Sequence, residues 1–350
     1  MVKGKIKVGV IGAGGYAGVT LINILLEHPN VDLTWISSEP AHKGKKLSDL
    51  YPYFRGMSDL KCLDPLPKDE LPGTDLVFLG VPHGLAMNFV PELRKAGKKV
   101  VDLSADYRFT DQSEYEKWYI PHKGAEYMKE AVYGLPELYK DKIVKAELIG
   151  NPGCYPTSAI LGAAPLVAKK IVDPVSIIVD SKSGVSGAGR GLNQITHFPE
   201  CNEGVMAYKI FKHRHTAEIN QELGNLAGKK LSLTFVPHLI PMNRGILSSI
   251  YCKPLKKVEQ VELVNIFKDF YKKAPFVRVL EGEDLPSTKH VAATNFCDIA
   301  IRVNDDKNQV VIVAAIDNLV KGAAGQAVQN MNLMSGFAED AGLRKLAVYP

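Results

Sequence analysis

The 350-residue chain has no apolar run near the roughly 18 residues that span a bilayer. Its basic start dissolves into glycines after a short apolar stretch, with no cleavage-site pattern behind it. Charge of one sign is also scarce. Lys and Arg number 43 against 38 Asp and Glu, a formal +5, scattered as Lys43-Lys45-Lys46, Lys98-Lys99 and Lys229-Lys230. That excludes the basic block a nucleic acid would grip and leaves small anions as fitting ligands. There are five cysteines (Cys62, Cys154, Cys201, Cys252, Cys297), an odd number without a CxxC pair. This excludes a disulfide framework and a zinc site, and it indicates a reducing compartment, the cytoplasm, in which one thiol is chemically special. Repeats and low-complexity linkers are lacking as well.

What is present is globular. Hydrophobic residues make up 46% and aromatics 8%, and the length suits two domains. Lys7–Ile11, Val31–Ile36, Leu76–Gly80 and Val100–Leu103 read as continuous apolar strands. Helical patterns over Val19–Glu27 and Leu85–Ala96 alternate with them, the signature of a parallel, doubly wound sheet. After Cys154 a helix over Ser158–Lys170 is followed by strands at Val175–Asp180, Leu231–Val236, Leu247–Tyr251, Phe296–Val303 and Val310–Ala315. This texture suits an α+β unit with a mixed, largely antiparallel sheet. The expected class is therefore α/β, a Rossmann-type domain over 1–153 plus a second domain over 154–317. A closing helix over Gly322–Leu333 lies in a segment, 318–350, that rejoins the first domain.

Gly12, Gly14, Gly15, Tyr16 and Gly18 follow the first strand and open a helix. Glycines there allow a tight turn and close approach of N–H groups to a pyrophosphate. At the end of the second strand, Ser37 and Ser38, with lysines downstream, suit a 2′-phosphate better than a free hydroxyl, although Glu39 argues the other way. The expected cofactor is NADP.

Gly150-Asn151-Pro152-Gly153-Cys154-Tyr155-Pro156 forces a turn before an apolar helix. It sets Cys154 at a helix N-terminus, where orphan N–H groups and the helix dipole stabilise a thiolate. His213 and His215 supply groups that titrate near neutrality, sharing a face if their segment is extended. HxH is also half of a metal site, but no acidic or cysteine ligand lies at usable spacing, so no metal is expected. Ser181–Arg190, rich in small residues and hydroxyls, reads as an anion-binding nest after a strand, with Arg190 able to bind an anion bidentately. Arg108 is a candidate for the substrate's carboxylate or phosphate; a structural ion pair with Asp102 or Asp106 is its alternative. Asn318 has the donor and acceptor to hold a nicotinamide carboxamide, with plain helix packing as the other reading.

These motifs carry a resemblance. GAGGYAG, VPHG at 81–84, DLSADYRF at 102–109, YGLPEL at 133–138, GNPGCYPT at 150–157, SKSGVSGAGR at 181–190, HRHTAEI at 213–219, FVPHLIPMNRGI at 235–246 and DNLVKGAAGQAVQN at 317–330 stand in the order seen in N-acetyl-gamma-glutamyl-phosphate reductases. The chain resembles aspartate-semialdehyde dehydrogenases in layout only. The resemblance implies NADPH-dependent reduction of an acyl phosphate to a semialdehyde through a thioester on Cys154, in arginine biosynthesis. It also implies His213 as acid–base residue, substrate contacts from Asn151, Ser183 and His215, and cofactor contacts from Ser181, Gly184 and Ser186. A homodimer or homotetramer without a nucleic-acid or membrane partner follows from the same likeness. Two alternatives remain at this point: the aminoadipyl-phosphate reductase of lysine synthesis, and a cysteine hydrolase without redox chemistry.

Overall fold

The computed structural model describes residues 4–304, 306 and 308–349; Lys3 of the basic start lies outside the described residues. The chain divides into two units, Met1–Pro152 with Ala323–Arg344, and Gly153–Gly322 with Lys345–Pro350.

The first unit is built on seven strands, β1 (Ile6–Ile11), β2 (Val31–Ser37), β3 (Cys62–Leu63), β4 (Leu76–Leu79), β5 (Lys99–Asp102), β6 (Val132–Tyr133) and β7 (Leu148–Gly150). They lie in the order β3-β2-β1-β4-β5-β7-β6, and every pair is parallel. β4 is buried throughout, as expected of a strand covered on both faces. The strand order reverses between β1 and β4, which is where such sheets open a crevice at their carboxyl ends. Helix α1 (Tyr16–Leu26) leaves β1 through the glycine turn. The expected helix over Leu85–Ala96 is a 3₁₀ turn, Ala86–Asn88, followed by α2 (Val90–Lys95). Pro91 is the reason, since proline is accepted in a first helical turn but not in an interior.

The second unit opens with α3 (Cys154–Ala168), four residues earlier than the apolar pattern alone suggests. Its sheet runs β12-β13-β14-β11-β8-β10-β9, with β8 (Ile178–Gly184), β9 (Met206–Ala207), β10 (Thr234–Ile240), β11 (Ile246–Cys252), β12 (Val277–Val279), β13 (Cys297–Asn304) and β14 (Gln309–Ile316). Only the β8–β10 and β12–β13 pairs are parallel. The strand expected at Val175–Asp180 starts at Ile178 because Pro174 begins a 3₁₀ turn capped by Asp173. Helices α4 (His215–Ala227) and α5 (Gln260–Tyr271) complete the frame. α3 lies on β11 and β14; a Cβ at Gly162 would come within 2.5 Å of Ile250 Cδ1. Ser158 and Ser181 each meet Ser248 at 2.7 Å, a buried hydroxyl chain joining helix to sheet.

A π-helical turn, Val320–Ala324, carries the chain back to the first unit. Helix α6 (Gly325–Ser335) follows and stops at Gly336, which is left-handed with φ 70°. The single segment expected over 318–350 is therefore divided, and the residues from Lys345 belong with the second unit. α6 is docked by amides. Asn330 Nδ2 donates to Gly134 O at 2.8 Å and to Asn151 Oδ1 at 3.0 Å, and Gln326 Nε2 donates to Gly134 O at 3.0 Å. Asn330→Leu removes donors from a buried network. It is expected to cost about 1–3 kcal/mol, read in urea as a lowered midpoint with an unchanged m-value.

Candidate active site

In the first unit, Gly12, Gly14, Gly15, Tyr16 and Gly18 wrap the carboxyl end of β1. Gly12 has φ +99°, and a Cβ on it would collide with Gly80 O; only glycine is free of both penalties. The Gly12 and Ala13 N–H groups donate to Ser37 O at 2.9 Å each, which ties the turn to β2. Gly15 is the N-cap of α1 without any side-chain cap, and a Cβ there would meet nothing nearer than Gly12 O at 4.0 Å. The helix start is thus uncrowded and uncapped by side chains, with the dipole behind it, which fits a dinucleotide pyrophosphate. Ser38 borders the turn, 2.7 Å from where a Gly14 Cβ would stand. Ser37 does not: it is fully buried and its hydroxyl donates to Pro65 O at 3.1 Å.

Arg108 is buried. Its Nε donates to Asn151 O at 2.6 Å and its second amino group to Leu103 O at 2.8 Å. Burial, then the neighbouring Asp106 charge, raises Asp102 to about 7, while the Arg108 guanidinium opposes this. The Asn151 side chain is packed within the first unit. It is fully buried, and both ends of its amide are engaged, Nδ2 with Ala323 O at 3.1 Å and Oδ1 with Asn330.

In the second unit, Cys154 is the first residue of a fifteen-residue helix. The Gly153 N–H donates to the buried Glu218 carboxylate at 2.8 Å, and Glu218 stands in the first turn of α4, three residues after His215. Gly322 abuts the cysteine so closely that a Cβ there would lie 2.7 Å from Cys154 Cβ. Beside the cysteine, Tyr155, Tyr208, His213, His215 and Phe235 form an aromatic cluster; the two imidazole centroids are 4.8 Å apart. Burial first raises both the Tyr155 and Tyr208 phenols.

The histidines do not sit on an extended segment. Arg214 is helical, φ −57°, and folding back brings the rings together while the His215 N–H donates to His213 Nδ1 at 3.2 Å. With Nδ1 accepting, the neutral ring carries its proton on Nε2, 3.3 Å from Tyr208 Oη. Tyr208 donates to Tyr155 Oη at 3.3 Å, and Tyr155 to His238 O at 2.9 Å. Titration near neutrality is also corrected. Burial first, then the Lys209 and Arg214 charges, push His213 down to about 3.

The Ser181–Arg190 segment departs from a free anion nest. Ser181, Lys182 and Ser183 are in β8, and strand alternation turns Ser181 into the helix-covered face, where it bonds Ser248. The N–H groups of Gly184, Val185 and Ser186 donate to Gly245, Met242 and Asn243 carbonyls at 2.9, 2.9 and 3.2 Å. Gly184 is glycine because a Cβ would press on Asn243 O at 2.7 Å. Asn318 is engaged as well: Oδ1 accepts from Gly245 N at 2.7 Å and Nδ2 donates to Ser186 Oγ at 2.9 Å. Ser183 donates to Gly184 O at 2.9 Å and also meets the Tyr155 phenol. Arg190 is exposed on the loop beyond.

Comparison with known proteins now decides the family. Residues 7–146 match the family model described as semialdehyde dehydrogenase, NAD binding domain, and residues 154–318 the semialdehyde dehydrogenase, dimerisation domain. A Syntrophobacter fumaroxidans protein named N-acetyl-gamma-glutamyl-phosphate reductase is 51% identical over 339 residues, 97% of this chain and 98% of that protein. A Citrifermentans bemidjiense protein of the same name is 52% identical over 346 residues, 99% and 100%. The chain belongs to the N-acetyl-gamma-glutamyl-phosphate reductase family. Among solved structures, aspartate semialdehyde dehydrogenase II from Vibrio cholerae, complexed with ASA, matches with TM-score 0.74 at 15% identity, over 95% of this chain and 99% of that one. The Candida albicans aspartate semialdehyde dehydrogenase with NADP matches with TM-score 0.70 at 15% identity, over 96% and 99%. Both are likenesses of fold.

Sequence reasoning missed Tyr208, Glu218 and Gly322. Glu218 lies within the HRHTAEI motif, so its proximity to His215 was visible; Tyr208 stands close to His213 in sequence but outside any motif, and the partner of Gly322, Cys154, is distant in sequence. The low His213 value has a consequence for stability. The unfolded ring takes a proton below 6.5 and the folded ring only near 3, so this contribution is complete above pH 6.5 and is lost as pH falls toward 3. Urea midpoints followed from pH 7 to pH 4 should fall less steeply in His213→Asn than in the wild type.

Proposed function

We propose that the chain performs the reaction its family is named for, with Cys154 as nucleophile. N-acetyl-glutamyl 5-phosphate is reduced to N-acetyl-glutamate 5-semialdehyde, phosphate is released, and NADPH is the reductant. The observation that carries this reading is Cys154 at the first position of α3, with Gly153 held by Glu218 and His213 in the adjoining cluster.

Four N–H groups at a helix start have no partner within the helix, and their combined field favours a thiolate at that position. The sulfur attacks the acyl carbon; the C–S bond forms and the bond to the phosphate oxygen breaks, the phosphate leaving with the electron pair and taking a proton. NADPH, when bound, supplies a hydride to the thioester carbon. The resulting oxyanion re-forms its carbonyl, the C–S bond breaks, and the electron pair returns to sulfur. His213 is the acid–base partner. Its resting ring is neutral and presents Nε2–H, so it enters the cycle as a hydrogen-bond donor to the carbonyl oxygen rather than as a standing imidazolium. His215, Ser183, Arg108 and Arg190 are the candidates for holding the substrate. Gly12, Gly14, Gly15, Tyr16 and Gly18 hold the dinucleotide, with Gly184, Ser186 and Asn318 shaping the loop assigned to it. A hydrolase reading leaves the glycine turn without a purpose.

We also propose self-association, as a homodimer or homotetramer, through the face of the second sheet opposite α3. Val236, Leu247, Tyr251, Val311 and Val313 are half-buried there, interleaved with Asp180, Lys182 and Ser249, a mixed apolar and polar face suited to a second copy. A cytoplasmic location is proposed with it, since all five cysteines are free thiols.

In the reverse assay with the semialdehyde, phosphate and NADP, reduced cofactor should accumulate only when phosphate is present. Cys154→Ser should lose at least about a thousandfold in rate while still quenching NADPH fluorescence on binding. A fully active Cys154→Ser protein would refute the covalent route. Aminoadipate semialdehyde, one methylene longer, should turn over roughly 10–200-fold less efficiently; preference for it would move the chain to the lysine-type reaction.

A further inference from the structure

The end of β2 holds more than the sequence suggested. Ser37 is turned inward, and two of the lysines proposed to meet a 2′-phosphate are held by carboxylates, Lys43 by Asp64 at 2.8 Å and Lys46 by Asp59 at 2.9 Å. What borders the glycine turn instead is a pair, Ser38 and His42. A 3₁₀ turn over Pro40–His42, closed by the His42 N–H on Glu39 O at 2.8 Å, brings the imidazole back toward β2. Ser38 Oγ and His42 Nδ1 are 3.0 Å apart. A Cβ at Gly14 would lie 2.7 Å from that hydroxyl and 3.3 Å from both Nδ1 and Cε1 of the ring. The two side chains therefore lie against the middle of the turn whose helix end faces the pyrophosphate. In dinucleotide-binding sheets the residue ending the second strand meets the adenosine ribose, and a carboxylate there selects the free 2′-hydroxyl. Here that place is taken by a hydroxyl and an imidazole, both able to donate.

We propose that Ser38 and His42 form the subsite for the adenosine 2′-phosphate, and that His42 is the residue that makes this chain prefer the phosphorylated dinucleotide. The Ser38 hydroxyl donates to Nδ1, which fixes the tautomer with the proton on Nε2 and leaves Nε2–H to donate to a phosphate oxygen, with Ser38 orienting the ring. Phosphate bonds of this kind are charge-assisted and stronger than neutral ones. The inference rests on reading the glycine turn as the dinucleotide site, and its test separates the two.

Calorimetric titration with adenosine 2′,5′-bisphosphate and with adenosine 5′-monophosphate isolates the one phosphate in question. Wild type is expected to bind the bisphosphate at least about tenfold more tightly. His42→Ala should lose most of that preference while binding the monophosphate as before, and His42→Arg, which restores a donor, should regain it. Ser38→Asp should reverse the preference by repulsion. Equal loss of both probes in His42→Ala, or no change in either, overturns the subsite. A wild type that binds both probes equally overturns the subsite alone, whereas one that binds neither overturns the dinucleotide reading of the turn and the subsite together.

Discussion

The bond from the Gly153 N–H to the Glu218 carboxylate sets the geometry of the active site. It joins the start of α3, where Cys154 sits, to the first turn of α4, which also carries His215 and follows His213 directly. One helix thus meets the Cys154 turn and carries His215, with His213 two residues before its start. A bond to a charged acceptor is worth about 1.5–3 kcal/mol, and leaving the buried N–H unmatched costs a similar amount. Gly322 completes the arrangement from the other side. The chain passes Cys154 so closely that a Cβ there would lie 2.7 Å from Cys154 Cβ, and it does so in a π-helical turn, a distortion frequent at functional sites.

The dinucleotide end is governed by backbone approach rather than by side-chain bonds. Gly12 must pass Gly80 closely in a left-handed conformation, and β1 must lie between β2 and β4 for the turn to open at the crevice. Functional side chains are then added at the rim. The two units differ in this respect, with glycines at a helix start in the first and an aromatic cluster beside Cys154 in the second.

What the residues disclosed before any coordinates follows a physical division. Continuous apolar runs identified the parallel strands, because a strand buried on both faces has no room for polar residues. The glycine turn and the Pro-Gly turn before Cys154 were legible because their restrictions are local. Side-chain partners were not legible. Ser181 and Ser37 stand in hydroxyl-rich segments, and strand alternation and packing turn both hydroxyls inward. Asn151 and Asn318 carry versatile amides whose partners are other backbone segments, and no motif records which carbonyl an amide will meet. The proton affinity of His213 could not be read either, since it reflects burial among Tyr155, Tyr208 and Phe235 and the charges of Lys209 and Arg214.

The claim on which everything turns is that the acyl group is carried on the sulfur of Cys154. Intact-protein and peptide mass spectrometry after mixing the protein with N-acetyl-glutamyl 5-phosphate, without reductant, tests it most directly. The account predicts one N-acetyl-glutamyl group on the peptide containing Cys154, discharged when NADPH is added. An unmodified protein that still turns over, or an acyl group on a different residue that discharges at the catalytic rate, would contradict it.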